Sequence, residues 1–225
     1  MEQLSGHAIV NAGCLLFFDE KLTSSRRNDV LDSLLYVQLA AFKKHPKFTE
    51  QEEWKDTWLT AAVRFGWVWT AGTHCSEPAS RTETQTPWSL CAGALSAVVE
   101  DAVIADAERA LREQAHAEAL KLLASQTLQI DTGQDRPART TLVLQIGFVD
   151  AFGGMSLALI YLNTYQPLTP GLVFEPLEAG HLLGNIDVTV YSMRLLDQVY
   201  GQFRAAFDNA LAGKRSGLIK PLGKH

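Results

Sequence analysis

The chain has too little basic charge for a nucleic-acid-binding protein. Its 20 lysine and arginine residues are outnumbered by 25 aspartate and glutamate residues, so the formal net charge is −5. Proteins that bind nucleic acid normally present a basic face to the phosphates. The charge balance therefore excludes that class of partner.

Cysteine is scarce as well, with only Cys14, Cys75 and Cys91 in 225 residues. An odd number of widely spaced cysteines does not make a disulfide framework, which favours a reduced, cytosolic compartment. The first apolar stretch, Ala8 to Phe18, has no basic residues before it. We therefore expect no signal peptide and a protein that is cytoplasmic as synthesised, with release by another route left open.

Sequence signatures of catalysis are weak. There is no Cys-x-x-Cys and no histidine pair at i, i+4 spacing, so we predict neither a metal nor a cofactor. Ile130 to Gly133 matches the core of the aspartic-protease signature, but we interpret it as a turn. His74, Cys75, Asp131 and His181 make a catalytic cleft only if the fold brings them together.

The most informative segment is Leu142 to Leu162, where two apolar strands flank Gly153 and Gly154. An antiparallel strand pair normally keeps one polar face, whereas both faces here are apolar and Asp150 is the only formal charge. The central glycines and the β-branched residues favour a hairpin over a membrane-spanning helix. Either helices cover both sides of this hairpin, or it meets lipid.

Periodicity elsewhere predicts helices before and after a run of hairpin-connected strands. The first half is predicted to contain a strand at 7–18 with a bulge at Gly13, a helix from 24 to 46, a Trp-rich helix with a Thr49–Glu52 capping box, a strand at 67–69 and a polar loop at 73–87. Two helices within 88–125, which meet near Glu100, are predicted to follow. Besides the hairpin, the second half is predicted to contain a strand from 128, an edge strand at 172–175, a strand at 186–193 and a closing helix at 196–211. Without repeating βαβ units, this order predicts a single α+β domain over 1–225, with a central antiparallel sheet and helices packed on both faces.

Four tryptophans lie close together in the sequence: Trp54, Trp58, Trp67 and Trp69. Indole rings favour a membrane interface, so these residues are candidates for an interface belt. The alternative is that Trp54 and Trp58, four residues apart, form the buried stripe of their helix. We favour the buried stripe.

In the order of its elements the chain resembles the Cyt-type cytolysins. The resemblance is strongest from Leu142 to Tyr161, where an apolar strand, the turn Asp150-Ala-Phe-Gly-Gly154 and a second apolar strand follow one another, and Ile186 to Leu195 is similar to a later strand of that family. It covers about a third of the chain. The resemblance implies helical layers around an antiparallel sheet, membrane activity without a catalytic site, and contact with lipid after the helices move.

Three functional hypotheses follow. The first is a soluble membrane-active protein whose hairpin contacts lipid through Leu142, Leu144, Ile146, Phe148, Phe152, Met155, Leu157, Leu159 and Tyr161. The second is a non-catalytic module that holds a small apolar ligand or a protein partner between helices and sheet. The third is an unrecognised enzyme. Self-association into a homo-oligomer is left open.

Overall fold

The computed structural model describes residues 8–78, 84–114, 117–133 and 137–223, and within them the chain forms an eight-stranded sheet with helices on both faces. The strands are β1 (Ala8–Asn11), β2 (Cys14–Phe18), β3 (Trp67–Pro78), β4 (Leu128–Asp131), β5 (Arg139–Val149), β6 (Gly154–Thr164), β7 (Leu182–Leu195) and β8 (Ile219–Pro221). The helices are α1 (Ser24–Lys44), α2 (Gln51–Arg64), α3 (Pro87–Leu95), α4 (Asp101–Gln114), α5 (Ala117–Thr127), α6 (Asp197–Tyr200), α7 (Arg204–Leu211) and α8 (Arg215–Leu218). This architecture confirms the predicted α+β class.

The predicted hairpin lies in the middle of the sheet. β5 and β6 pair antiparallel from Thr140 opposite Thr164 to Val149 opposite Met155. The strand order is β3-β7-β6-β5-β2-β1-β8, and β4 pairs with the first residues of β5. The pairing is antiparallel throughout, except that β2 runs parallel to β5. Because other strands flank the hairpin on both sides, its backbone polar groups have ladder partners.

Side chains that alternate along the hairpin enter two separate cores. Face A is the side of the sheet that carries Leu144 and Ile160, and face B is the side that carries Leu157 and Leu159. The face-A layer consists of α3, α4 and α5. The face-B layer consists of α1, α2, α6, α7 and α8. The hairpin therefore lies between two helical layers.

The helix ends follow local chemistry. Thr23 caps α1 by accepting a hydrogen bond from the backbone N–H of Arg26 at 3.3 Å, and Thr86 with Ser89 forms a capping box on α3. Gly66 follows α2 with a φ of +101°, a conformation that an L side chain rarely adopts. The capping box predicted for α2 is wrong, because its N-cap residue is Glu50 and makes no side-chain cap.

Several strand predictions need correction. The single strand predicted at 7–18 is two strands, β1 and β2, joined by a tight turn in which Ala12 has a φ of +50°; position 7 lies outside the described residues. The short strand at 67–69 is the start of β3, which continues to Pro78 through most of the predicted loop. The predicted edge strand at 172–175 is instead a 3-10 helix, Leu172–Phe174.

The helical predictions also need correction in two places. The segment 88–125 is three helices instead of two, although the break near Glu100 is confirmed. The closing helix divides into α6 and α7, since residues 201–203 interrupt it. The described part of the basic tail ends in β8, which pairs with β1. The predicted strand at 186–193 is confirmed and extends from Leu182 to Leu195.

Candidate functional site

The turn of the hairpin is held by one carboxylate. Asp150 Oδ1 accepts hydrogen bonds from the backbone N–H groups of Phe152 at 2.7 Å and Gly154 at 2.8 Å. Gly153 has a φ of +78°, a conformation that favours glycine, and a Cβ there would lie 2.8 Å from Nε of Arg26, so the arginine side chain would have to shift. The turn directs Phe152 into solvent, where it is 74% exposed.

The register of the hairpin distributes the predicted lipid-contacting residues over both faces. Val149 pairs with Met155, so Phe148 shares its face with Ser156. Face A therefore carries Leu142, Leu144, Ile146 and Phe148. Face B carries Met155, Leu157, Leu159 and Tyr161. These eight residues are buried or half-buried, whereas Phe152 at the turn is exposed.

The face-A layer is anchored by aromatic packing. The ring of Trp88 in α3 meets Phe17 edge-on, with centroids 5.8 Å apart, and Phe17 stacks on Phe148 at 5.1 Å. The indole N–H of Trp88 donates to Glu108 of α4 at 2.9 Å, which ties α3 to α4. Apolar contacts of this kind depend on water being excluded and are not directional.

The ion pairs of the face-A layer stay within single helices. Asp106 pairs with Arg109, Glu108 with Arg112 at 2.8 Å, and Glu118 with Lys121 at 3.0 Å. Among the described residues no ion pair ties α3, α4 or α5 to another element. Exposed pairs of this spacing contribute only about 0.3–0.5 kcal/mol each. Ion pairs therefore do little to hold this layer on the sheet.

The face-B layer is clamped by arginines from distant parts of the chain. Arg204 of α7 binds the buried Asp29 of α1 with two hydrogen bonds, at 2.9 and 2.7 Å. Arg215 of α8 binds Asp32 of α1 in the same bidentate way, at 2.6 and 2.7 Å. The carboxylate of Asp29 raises the pKa of the Arg204 guanidinium. Bidentate arginine–carboxylate pairs fix geometry as well as charge, so α1, α7 and α8 form one locked unit.

Arg26 extends this clamp to the turn of the hairpin. Its Nη2 donates to the carbonyl oxygen of Leu195 at 3.0 Å and to that of Phe152 at 3.3 Å. The first turn of α1 is thereby fixed to the end of β7 and to the hairpin tip. The tip is attached to the face-B layer on this side of the sheet.

Only one of the four predicted interface tryptophans is at the surface. Trp54, Trp58 and Trp67 are buried, whereas Trp69 is 44% exposed. Trp54 and Trp58 form the buried stripe of α2, and their indole N–H groups have no hydrogen-bond partner among the described residues. Trp67 donates to Ser33 Oγ at 3.2 Å. A buried donor without a partner costs about 1–3 kcal/mol, so α2 is a poorly satisfied part of the face-B layer.

A cleft of about 840 Å³ opens beside the turn end of the hairpin. Its lining includes the row Phe17, Phe148, Ser156 and Ser192, which crosses β2, β5, β6 and β7. The lining also includes Val99, in the connection between α3 and α4, and Val103, in the first turn of α4. Face A is thus incompletely covered at this end.

The rim of the cleft is acidic. Five carboxylates line it, against a single arginine, Arg194; they are Asp19, Glu20, Glu100, Asp106 and Asp150. Sequence reasoning missed this site because distant segments build it. The one local signal was the break near Glu100, which places the α3–α4 connection over the sheet.

Exposed apolar side chains gather at the same end of the sheet. Five of the nine large hydrophobic residues that are exposed in the described chain lie at the turn or near the cleft: Val68, Trp69, Val98, Phe152 and Leu196. Single exposed hydrophobic residues are ordinary, whereas a contiguous exposed apolar patch is a candidate interaction surface.

The four polar residues considered for catalysis do not converge. His74 and Cys75 lie on β3, and Asp131 ends β4. β7, β6 and β5 separate these two strands, which places them about 19 Å apart at the usual strand spacing. His181 precedes β7 and pairs with Glu178 at 2.8 Å. No group of metal-ligating side chains occurs among the described residues either.

One buried amine joins the two layers. Lys47, between α1 and α2, donates from Nζ to the carbonyl oxygen of Gln126 near the end of α5. Burial lowers the pKa of Lys47 to about 8, and burial likewise raises the pKa of the neighbouring Cys14 thiol. The end of a helix favours a positive charge, which offsets part of the cost of burying the ammonium.

No family model and no curated protein matches the chain. Among solved structures, the chain is similar to a delta-endotoxin at 6% identity and a TM-score of 0.46, covering 83% of this chain and 82% of that one. It is also similar to the activated Cyt2Ba monomer from Bacillus thuringiensis subsp. israelensis at 10% identity and a TM-score of 0.43, covering 83% of this chain and 99% of that one. The Evf virulence factor follows at 11% identity and a TM-score of 0.38, covering 94% and 85%.

The structural comparison thus finds the family that the hairpin sequence resembles. Both the scores and the identities are low, so the likeness concerns the general course of the chain and assigns no residue a role. Among the described residues, no helix is both long and apolar enough to cross a membrane.

Proposed function

We propose that the chain is a membrane-active protein whose β5–β6 hairpin contacts lipid after the face-A layer moves aside. One observation carries the proposal: a hairpin that is apolar on both faces is covered by helices and ends in an exposed apolar turn. An ordinary antiparallel pair would keep one polar face, so this sequence is adapted to surroundings without water on either side.

The hairpin stays covered in water for energetic reasons. Five large aliphatic side chains of face A are almost fully buried: Leu142, Leu144, Ile146, Ile160 and Leu162. Exposing each one costs about 2 kcal/mol, or about 10 kcal/mol for the group. That sum is comparable with the entire stability of a domain, roughly 5–15 kcal/mol. The layer therefore opens only where lipid replaces the helices as the apolar partner.

The length of the strands suits a bilayer. β5 and β6 contain 11 residues each, which extend over about 36 Å. The hydrocarbon core of a bilayer is about 30 Å thick, and a membrane strand needs about 9–11 residues. The hairpin is long enough to reach through that core or to lie within it.

The turn end of the sheet supplies the first contact with the membrane. Phe152 projects from the tip, with Trp69, Val68 and Leu196 exposed nearby. Aromatic side chains are favourable at the boundary between water and lipid. Insertion of this group brings the uncovered end of face A, next to the cleft, against the lipid.

The face-A layer is the one proposed to move because of how each layer is held. Arg204, Arg215 and Arg26 clamp the face-B layer to itself and to the sheet. The face-A layer packs on the sheet mainly through apolar contacts such as Trp88 with Phe17. Lipid can replace apolar contacts but not bidentate ion pairs. Leu142, Leu144, Ile146 and Phe148 then meet lipid first.

Release of a trapped dye from liposomes tests this function. The intact protein is expected to release dye, and Phe152→Asp is expected to slow release about tenfold or more, because a charge replaces the leading apolar side chain. Phe42→Asp is the matched control, since Phe42 is also exposed, at 48%, and lies near the far end of α1. It should release dye as the unmodified protein does.

Two results would contradict the proposal. The first is a failure to release dye from any lipid mixture, even after proteolytic trimming. The second is equal dye release by Phe152→Asp and Phe42→Asp, which would mean that the hairpin tip does not make the first contact with the membrane.

The cleft favours a second candidate function, the binding of a small apolar ligand between helices and sheet. Ligand sites are commonly clefts of roughly 300–1,000 Å³ with apolar walls and a few polar groups, and the volume of about 840 Å³ lies in that range. This function needs no movement of the helices. A ligand that binds without any dye release would support it over the first.

A further inference from the structure

We infer that the cleft at the turn end of face A is a binding site for a single-chain amphiphile with a positively charged amine head. The inference rests on the second candidate function, the binding of an apolar ligand in the cleft, and adds the chemical class of that ligand; it does not depend on membrane activity, since it concerns the closed protein in water. It rests on the shape of the cleft, on its apolar floor and on the sign of the charge at its rim.

The floor accepts an alkyl chain. Phe17 and Phe148 stack with centroids 5.1 Å apart, and both line the cleft with the small part of their rings that stays accessible. Val99 and Val103 line the cleft as well. An alkyl chain in contact with these side chains would remove apolar surface from water.

The rim selects the head group by charge. Of its five carboxylates, Glu20 and Glu100 make no side-chain hydrogen bond or ion pair to the described residues, so both are available to a ligand. Asp19, Asp106 and Asp150 are already engaged in the protein but keep their negative field. A cation is attracted to such a rim, and an anion is repelled.

Three features oppose the rim charge without reversing it. Arg194 contributes one positive charge. The N-terminus of α4, which begins at Asp101 directly after the cleft residue Glu100, carries about half a positive charge. Arg109 further offsets Asp106. We therefore expect the preference for a cation to depend mainly on Glu20 and Glu100, which have no side-chain partner among the described residues.

Two serine hydroxyl groups in the cleft favour a primary amine as the head group. Ser156 and Ser192 lie opposite each other on β6 and β7 and line the cleft. Neither hydroxyl makes a hydrogen bond to the described protein. A primary ammonium has three donors and needs acceptors, which these two hydroxyls and the rim carboxylates provide. The chemistry therefore favours a primary amine over a quaternary one.

Titration calorimetry with decylamine tests the inference, using the full chain at neutral pH and a ligand concentration below the onset of micelles. Decanoate and decyl maltoside serve as anionic and neutral probes with the same chain length. Decylamine is expected to bind about tenfold or more tightly than either. Its binding should weaken with added salt, because the rim is partly exposed.

The double substitution Glu20→Gln with Glu100→Gln should remove this preference, so that decylamine and decyl maltoside bind alike. Glu113→Gln is the control, since Glu113 is an exposed carboxylate on the same helix, α4, outside the cleft. It should bind decylamine as the unmodified chain does. Val99→Trp fills the cleft and should abolish binding of all three probes while the circular dichroism spectrum stays native.

Three results would overturn the inference: no binding of decylamine, equal binding of decanoate, or unchanged preference in the doubly substituted protein. None of them bears on membrane activity, because no lipid is present. Conversely, a chain that fails to release dye from liposomes would leave the binding result as it stands.

Discussion

The two helical layers cover the same hairpin but are held in different ways. The face-B layer joins α1 to α7 and α8 through Asp29–Arg204 and Asp32–Arg215, and to the hairpin tip through Arg26. The face-A layer keeps its ion pairs within α4 and α5 and leaves face A partly open at the cleft. Two layers of similar apolar character therefore differ in how easily another apolar phase can replace them.

This difference between the layers bears on which face of the hairpin would be uncovered. The sequence shows two apolar faces, and the structure shows that ion pairs between elements hold the described helices over face B, whereas those over face A have ion pairs within single helices. Removing the face-A layer uncovers Leu144 and its neighbours, whereas Leu157 and Leu159 stay under the face-B layer. The hairpin would then present one face to lipid and keep the other against protein.

The largest expected effect concerns the two faces in water, where they should be equivalent. Leu144 on face A and Leu157 on face B are both fully buried. Leu144→Ala and Leu157→Ala should each lower the free energy of unfolding by about 2–5 kcal/mol, through lost burial and the cavity left behind. Urea unfolding measures both. A loss below about 1 kcal/mol at Leu144 alone would mean that face A is loosely covered even without lipid.

The next effect concerns Lys47, the amine that joins the layers. Its pKa is about 8 in the folded chain and near 10.5 in the unfolded chain, so the unfolded chain binds the proton more tightly. Stability linked to Lys47 is therefore complete above pH 10.5 and is lost as pH falls through 8. The free energy of unfolding of the unmodified chain, minus that of Lys47→Met, should rise by roughly 3 kcal/mol over this window.

The subtraction removes Cys91 from the comparison. Burial raises the pKa of Cys91 to about 12 and that of Cys14 further, so both lower stability as the pH rises past 9. The contribution of Cys91 cancels, whereas that of Cys14 cancels only apart from its Coulombic interaction with Lys47, which is part of the difference that is measured. Denaturant unfolding from pH 7 to 11 provides the measurement. A flat difference would show that Lys47 is hydrated and does not bridge the layers as a buried charge.

A smaller effect compares one ion pair from each layer. Arg204→Ala leaves the buried Asp29 carboxylate without its bidentate partner and should cost about 1.5–3 kcal/mol. Arg109→Ala removes an exposed pair within α4 and should cost about 0.5 kcal/mol at most. Thermal or urea unfolding separates the two. Equal losses in the free energy of unfolding would show that the ion pair in the face-B layer stabilises the protein no more than the one in the face-A layer.

The hairpin was within reach of sequence reasoning because its signals are local. The alternation of Leu142 to Leu162 and the turn glycines predict both strands and the turn that joins them, which the structure confirms. Which residues of the two strands share a face could not be predicted from the sequence. It depends on Val149 lying opposite Met155, and that register follows from the hydrogen bonds of Asp150 within the turn.

Features that depend on distant segments escaped prediction. β3 extends to Pro78 because β7, over a hundred residues later, supplies its ladder partners, while its own polar residues are typical of a loop. β8 forms only because β1 lies beside it. The cleft is lined from β2, β5, β6, β7 and the α3–α4 connection, so no sequence window contains it.

Hydrogen exchange in the presence of liposomes tests the central claim most directly. If the face-A layer moves aside, backbone amides of α3, α4 and α5 should lose protection when liposomes are added, while those of α1 keep theirs. Amides of β5 and β6 should stay protected, since their ladder is kept. Unchanged protection of α3 to α5 during dye release, or loss of protection in α1 first, would contradict the account.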